Sequence, residues 1–85
     1  MTGSEIHQGL PEWFIAAMRK KLKENADKGG WEDCTREYLA YRLIEEAGEL
    51  LHALFEQDDS EVVGEAADVG NIAMMIADNF GYHKT

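Results

Sequence analysis

Acidic side chains stand where a helical chain needs aliphatic ones in LIEEAGELLHALFEQDDSEVVGEAADVGNIAMMIADNF, the stretch from Leu43 to Phe80. Apolar residues recur through it with the spacing of amphipathic helices. On one predicted helix Leu39, Leu43, Ala47, Leu50, Leu51 and Leu54 share a face. Glu46 falls on the edge of that face, and Glu49 lies one step further round. On the next helix Val62, Val69, Ile72, Ile76 and Phe80 form the apolar stripe. Glu65 projects from the middle of this stripe, and Asp68 sits on its flank with Asn79. Residues at i and i+3 are neighbours on a helix surface. Glu46-x-x-Glu49 and Glu65-x-x-Asp68 therefore each present two carboxylates side by side.

A carboxylate buried without compensation is costly, and a like charge nearby raises the cost. Arg42, at the border of the stretch, is the nearest basic residue in the chain. Four acids at an apolar seam therefore call for protons, cationic side chains or a metal. Hard divalent cations take all-oxygen coordination, and Mg2+ suits carboxylates that share it with phosphate oxygens, with Mn2+ as its substitute. The competing reading is two solvated acidic faces on surface helices. The place of Glu65 inside the apolar stripe favours the cation site.

The elements around this stretch are short. Pro11 fits the first turn of a helix, in which Trp13, Phe14, Ala17, Met18 and Leu22 form the apolar row. Arg19, Lys20, Lys21 and Lys23 mark its other face, and Gly29-Gly30 ends it. The Trp13–Phe14 pair reads as core. Asn25 to Cys34 is a loop. Asp33 or Thr35 caps the second helix, which runs to about Gln57. The acidic run Asp58-Asp59-Ser60-Glu61 starts the third, which reaches about Asn79 and ends at Gly81. So short a connection makes the second and third helices an antiparallel hairpin. Glu49 lies about eight residues before the turn and Glu65 about six after it, so the two acidic motifs come level. Gly48 costs about 1 kcal/mol relative to Ala in a helix, which suggests that another backbone passes close to it.

Eighty-five residues make one domain with a small core, and such helical proteins often oligomerise. Val63, Ala67, Gly70, Met74 and Ala77 give the third helix a second apolar side, read here as a subunit interface. The expected fold is all-α: three main helices with a hairpin, completing a four-helix-bundle-type core as a homodimer or homotetramer. Residues 1–9 are expected to be a flexible N-terminus and 10–85 a single helical domain.

A formal net charge of −9 argues against polynucleotide binding. It leaves room for a small anion that arrives with its cations. Cys34 is the only cysteine, which excludes an internal disulfide and a cysteine zinc site; it reads as a bystander in a reducing compartment. No apolar run reaches the ~18 residues of a membrane span. A cytoplasmic location is expected.

The motif E-E-x-x-E followed after a short loop by E-x-x-D-V-x-N resembles the MazG-like all-α nucleoside triphosphate pyrophosphohydrolases. It is carried here by Glu45-Glu46-Ala47-Gly48-Glu49 and Glu65-Ala66-Ala67-Asp68-Val69-Gly70-Asn71, with KGGW before it and NIAMMIADN after it. The resemblance implies a helical dimer or tetramer that uses Mg2+ to hydrolyse (d)NTPs to the monophosphate and pyrophosphate. It implies Glu46, Glu49, Glu65 and Asp68 as metal ligands, with Glu46, Glu49 and Glu45 as the catalytic acids. Glu45 or an outer carboxylate would orient the water. It makes Lys28, Trp31, Arg42 and Asn71 candidates for substrate contacts, and suggests a role in clearing non-standard nucleotides.

Two other readings come from the residues. Glu49-x-x-His52 matches the Glu-x-x-His of di-iron carboxylate bundles, although His52 points away from Glu46 and the apolar face. A non-enzymatic acidic helical adaptor would instead dock a partner through the Met74 side. For the pyrophosphohydrolase, His7, His52 and His83 are not needed.

Overall fold

The computed structural model describes residues 9–26 and 29–82. His7, Lys28, His83 and most of the expected flexible N-terminus lie outside them. The described residues form three α-helices and no strand: α1 (Glu12–Glu24), α2 (Arg36–Phe55) and α3 (Asp59–Phe80). None is long and apolar enough to cross a membrane.

The helix boundaries follow from local chemistry. Pro11 sits just ahead of α1 as its N-cap, with φ −66° and ψ 133°, rather than inside the first turn. Helix α1 ends at Glu24, earlier than the glycine pair, and the Asn25 side chain donates to the Lys21 carbonyl. Thr35 is the N-cap of α2, its hydroxyl accepting from the Tyr38 N–H at 3.1 Å. At the other end Gln57 adopts φ 58°, and the N–H groups of Gln57 and Asp58 donate to the carbonyls of Leu54 and Ala53. This is the Schellman arrangement, here with a glutamine where glycine is usual. It turns the chain into α3 within three residues and makes the expected antiparallel hairpin.

Helix α3 is the central element: α2 packs on one side of it and α1 on another, while α1 and α2 do not pack on each other. Its apolar character all round has this cause. Ala67 is fully buried. A Cβ at Gly70 would meet the Met18 side chain at 3.3 Å, and one at Gly64 would meet Lys21 Cε at 3.5 Å. Of the residues expected to face another subunit, Gly70 lies against the chain's own first helix and Ala67 is buried, while Val63 and Ala77 are exposed. Within the chain itself no backbone passes near Gly48, since a Cβ there meets nothing within 4 Å.

The buried line of α2 is Leu39, Glu46 and Ala53, each two turns from the next. This line is rotated from the expected face, and it leaves Leu51 and Leu54 half exposed while carrying Glu46 inward. Trp13, read as core, is 63% exposed and meets Phe14 edge-on with ring centroids 5.8 Å apart. Leu39, at 1% exposure, is the largest side chain fully withdrawn from water. Leu39→Ala is expected to cost about 2–5 kcal/mol by cavity formation, measured by urea unfolding; a loss below about 1 kcal/mol contradicts this packing.

Candidate metal centre

The matched register of the hairpin brings three carboxylates together. One oxygen each from Glu46, Glu49 and Glu65 lies within 4.8 Å of the others. Glu46 is 6% exposed and the Glu65 side chain is partly buried, whereas Glu49 is open to solvent. The cluster thus spans the seam from interior to surface, with carboxylates from both helices of the hairpin.

Its hydrogen bonding is incomplete. Arg42 Nη2 donates to Glu46 Oε1 at 2.6 Å, and Arg42 Nη1 donates to Glu45 Oε1 at 3.0 Å. Glu46 Oε2 and Glu65 Oε2 are buried with no hydrogen-bond partner. Buried polar atoms are nearly always satisfied, so two orphan oxygens in one acidic cluster indicate a missing partner. Electropositive atoms with all-oxygen preference fit this donor set, as Mg2+ and Mn2+ do.

Electrostatics agree with the geometry. Burial, then hydrogen bonding with Glu49 and the negative charges of Glu49, Asp68 and Glu46, pushes the Glu65 carboxyl up to about 7. Burial and then the charges of Glu49 and Asp68 raise Glu46, against the opposing pull of Arg42. Burial also raises Asp68, and Lys21 opposes it. Without a metal, the site resists full ionisation because one guanidinium is too little for three clustered acids.

The structure separates the other candidates. Asp68 feels the charge of Glu49 but pairs with Lys21, its Oδ2 3.6 Å from Nζ, and it stands outside the cluster of three. Glu45 is exposed and bound to Arg42. His52 is exposed and not among the three clustered carboxylates, though it edges a shallow depression beside Glu49 and Glu65. Arg42, Trp31 and Asn71 line one cleft of about 450 Å³ between α1 and α2, floored by α3. Glu46 and Asp68 open into it as well, as do Lys21 and Cys34.

Trp31 is fixed in this cleft by the end of α3. Its Nε1 donates to Asp78 Oδ2 at 3.0 Å, and Asn79 Nδ2 donates to the Trp31 carbonyl at 2.7 Å. The Arg36 guanidinium lies 4.5 Å from the centre of the Phe80 ring. Asn71, 4% exposed, gives Nδ2 to the Met18 carbonyl at 2.9 Å and leaves Oδ1 buried without a partner. Lys21 was not foreseen as a site residue. The only hint in the sequence is its i+3 spacing from Met18, which places it beside the apolar row of α1.

The profile of the phosphoribosyl-ATP pyrophosphohydrolase family matches residues 13–82, a span that holds α2, α3, all of α1 but its first residue, and every cluster residue. This family is an all-α relative of the MazG-like enzymes, so the resemblance read from the motifs holds at that coarser level. No curated protein and no solved structure matches the chain.

The raised Glu65 carboxyl has a consequence for stability. Its ordinary value is 4.5 and its folded value about 7, so the native state holds a proton that the unfolded chain releases. The contribution is complete below pH 4.5 and is lost as pH rises to about 7. In a chelator, the melting temperature is expected to fall across that window, and Glu65→Gln to flatten the fall. A melting temperature that climbs with pH there contradicts the clustered arrangement.

Proposed function

The chain belongs to the phosphoribosyl-ATP pyrophosphohydrolase family, and from that premise we propose that it hydrolyses the triphosphate of a nucleotide between the α- and β-phosphoryl groups. The products are a monophosphate and pyrophosphate. The observation that carries this reading is the Glu46, Glu49 and Glu65 cluster with its two buried, unpartnered oxygens.

Glu46, Glu49 and Glu65 would hold Mg2+, with Asp68 as a fourth ligand. When bound, the divalent ion supplies charge neutralisation at phosphate oxygens and a more acidic water. The remaining work falls to the chain's own groups. Arg42 offers guanidinium donors at the cleft wall, suited to phosphate oxygens. Glu45, or another carboxylate at the rim, accepts the proton of the attacking water. That water adds to the α-phosphorus, the α–β anhydride bond breaks, and its electron pair leaves with pyrophosphate. Leu39, Ile72 and Met75 give the cleft an apolar wall, which limits competing solvent. Trp31, held by Asp78, offers a face to a base.

Phosphoribosyl-ATP, named by the family, and ordinary (d)NTPs share the triphosphate that this site addresses. A panel containing both, with Mg2+ and product analysis, separates them. Pyrophosphate plus a monophosphate is expected from at least one member. Glu65→Gln is expected to lower the rate on the order of 100-fold, and His52→Ala to leave it unchanged. Release of single orthophosphates contradicts the proposed bond cleavage.

We further propose a homodimer or homotetramer. Tyr41, Ile44, Leu51 and Phe55 form an exposed apolar row on α2, Phe55 being 77% exposed, and a second copy of this row would cover it. Sedimentation at micromolar concentration is expected to show an assembly larger than the monomer, and one that Ile44→Glu disperses; a wild-type monomer contradicts it.

A further inference from the structure

Two cations occupy the acidic cleft in an unusual way. Arg42 is bound to Glu46 at 2.6 Å and Lys21 reaches Asp68 at 3.6 Å, and the two come from different helices on opposite walls. Lys21 also lies 3.9 Å from Glu24. Each pair joins a cation to one acid of the two i, i+3 motifs. The other acid of each motif, Glu49 or Glu65, belongs to the cluster of three.

Both cations line the same cleft as their carboxylates, and neither is fully buried there. The side chains of Lys21 and Arg42 retain 30% and 35% of their exposure. The Lys21 stem rests against Gly64 of α3, where the absence of a side chain leaves it room. Glu24, Glu45, Glu46, Glu49, Glu65 and Asp68 against Lys21 and Arg42 leave negative charge in excess. This balance admits a divalent ion but cannot by itself attract a polyphosphate.

We propose that Lys21 is a polyphosphate-binding residue held in reserve on Asp68, and that it changes partners when a divalent ion takes the carboxylates. The inference rests on the metal-site reading above. In the metal-free protein Lys21 and Arg42 neutralise Asp68 and Glu46 and so compete with the ion. With the ion in place they are released into the cleft, where they can reach the oxygens of a polyphosphate anion. Lys21 then acts from the α1 wall and Arg42 from the α2 wall. Metal and polyphosphate therefore each raise the affinity for the other, as reciprocal linkage requires. Without metal the cleft is closed to the anion by its own acids. A structural tie between α1 and α3 accounts for the Lys21–Asp68 distance alone. It does not account for a lysine lining the same cleft as an arginine on a second acid.

Titration calorimetry tests the exchange without turnover, using Mn2+ alone and then inorganic tripolyphosphate at saturating Mn2+. For Lys21→Met, Mn2+ is expected to bind several-fold tighter, because a competitor for Asp68 is gone. Tripolyphosphate is expected to bind roughly tenfold weaker, because a charged contact is lost. Lys21→Arg is expected to restore most of the tripolyphosphate affinity, and thermal melts of both variants report folding. If the wild type binds Mn2+ and tripolyphosphate and Lys21→Met binds tripolyphosphate equally well, the proposal falls while the metal site stands. If the wild type binds no Mn2+, the metal-site reading falls first and takes the proposal with it.

Discussion

Three carboxylates within 4.8 Å of one another at a helix seam repel, and the fold holds them there. Two of their oxygens are buried and receive no hydrogen bond. Such an arrangement persists only if apolar packing on either side enforces it, or if a proton or a cation balances it. Leu39 and Ala53 flank Glu46 two turns away in each direction and fix α2 against α3. The packing therefore sets the register, and the register sets the separation of the acids. Much of the chemistry proposed for the chain depends on that repulsion being relieved by an ion.

The central position of α3 gives the site its second wall. Because α1 and α2 pack on α3 and not on each other, a cleft remains between them and admits Lys21, Arg42 and Trp31 to one space. Small residues make this possible. Gly64 and Gly70 let α1 approach α3 closely enough for Met18 and Lys21 to settle there. Asp78, Asn79 and Phe80 hold the loop and the start of α2 over the far end, so that the indole of Trp31 cannot swing freely. Polar groups that tie the helices together and acids of the carboxylate motif are thus interleaved along a single helix.

Much of this was legible in the residues. Helical periodicity placed three helices, and the short connection made the hairpin, because local spacing fixes both. The acidic motifs stood out since their wheel positions conflict with burial. What escaped was whatever depends on which helix packs where. Lys21 reads as one of a run of basic residues until α1 is laid on α3. The small residues of α3 suggested a subunit contact, since nothing in the spacing shows that α1 reaches Gly70. Gly48 implied a close neighbour on propensity grounds, and the chain itself supplies none within 4 Å. The rotation of α2 that buries Glu46 and exposes Leu51 is likewise a tertiary result. Gln57 in a left-handed turn left no signal because glycine, the usual residue there, is absent.

The most direct test is a crystal grown with Mn2+ near neutral pH and examined by anomalous scattering. The account requires a peak with oxygens of Glu46, Glu49 and Glu65 about 2 Å away, and Glu46 Oε2 and Glu65 Oε2 among the ligands. An anomalous map with no peak between α2 and α3 at saturating Mn2+, the three carboxylates unmoved, would contradict it.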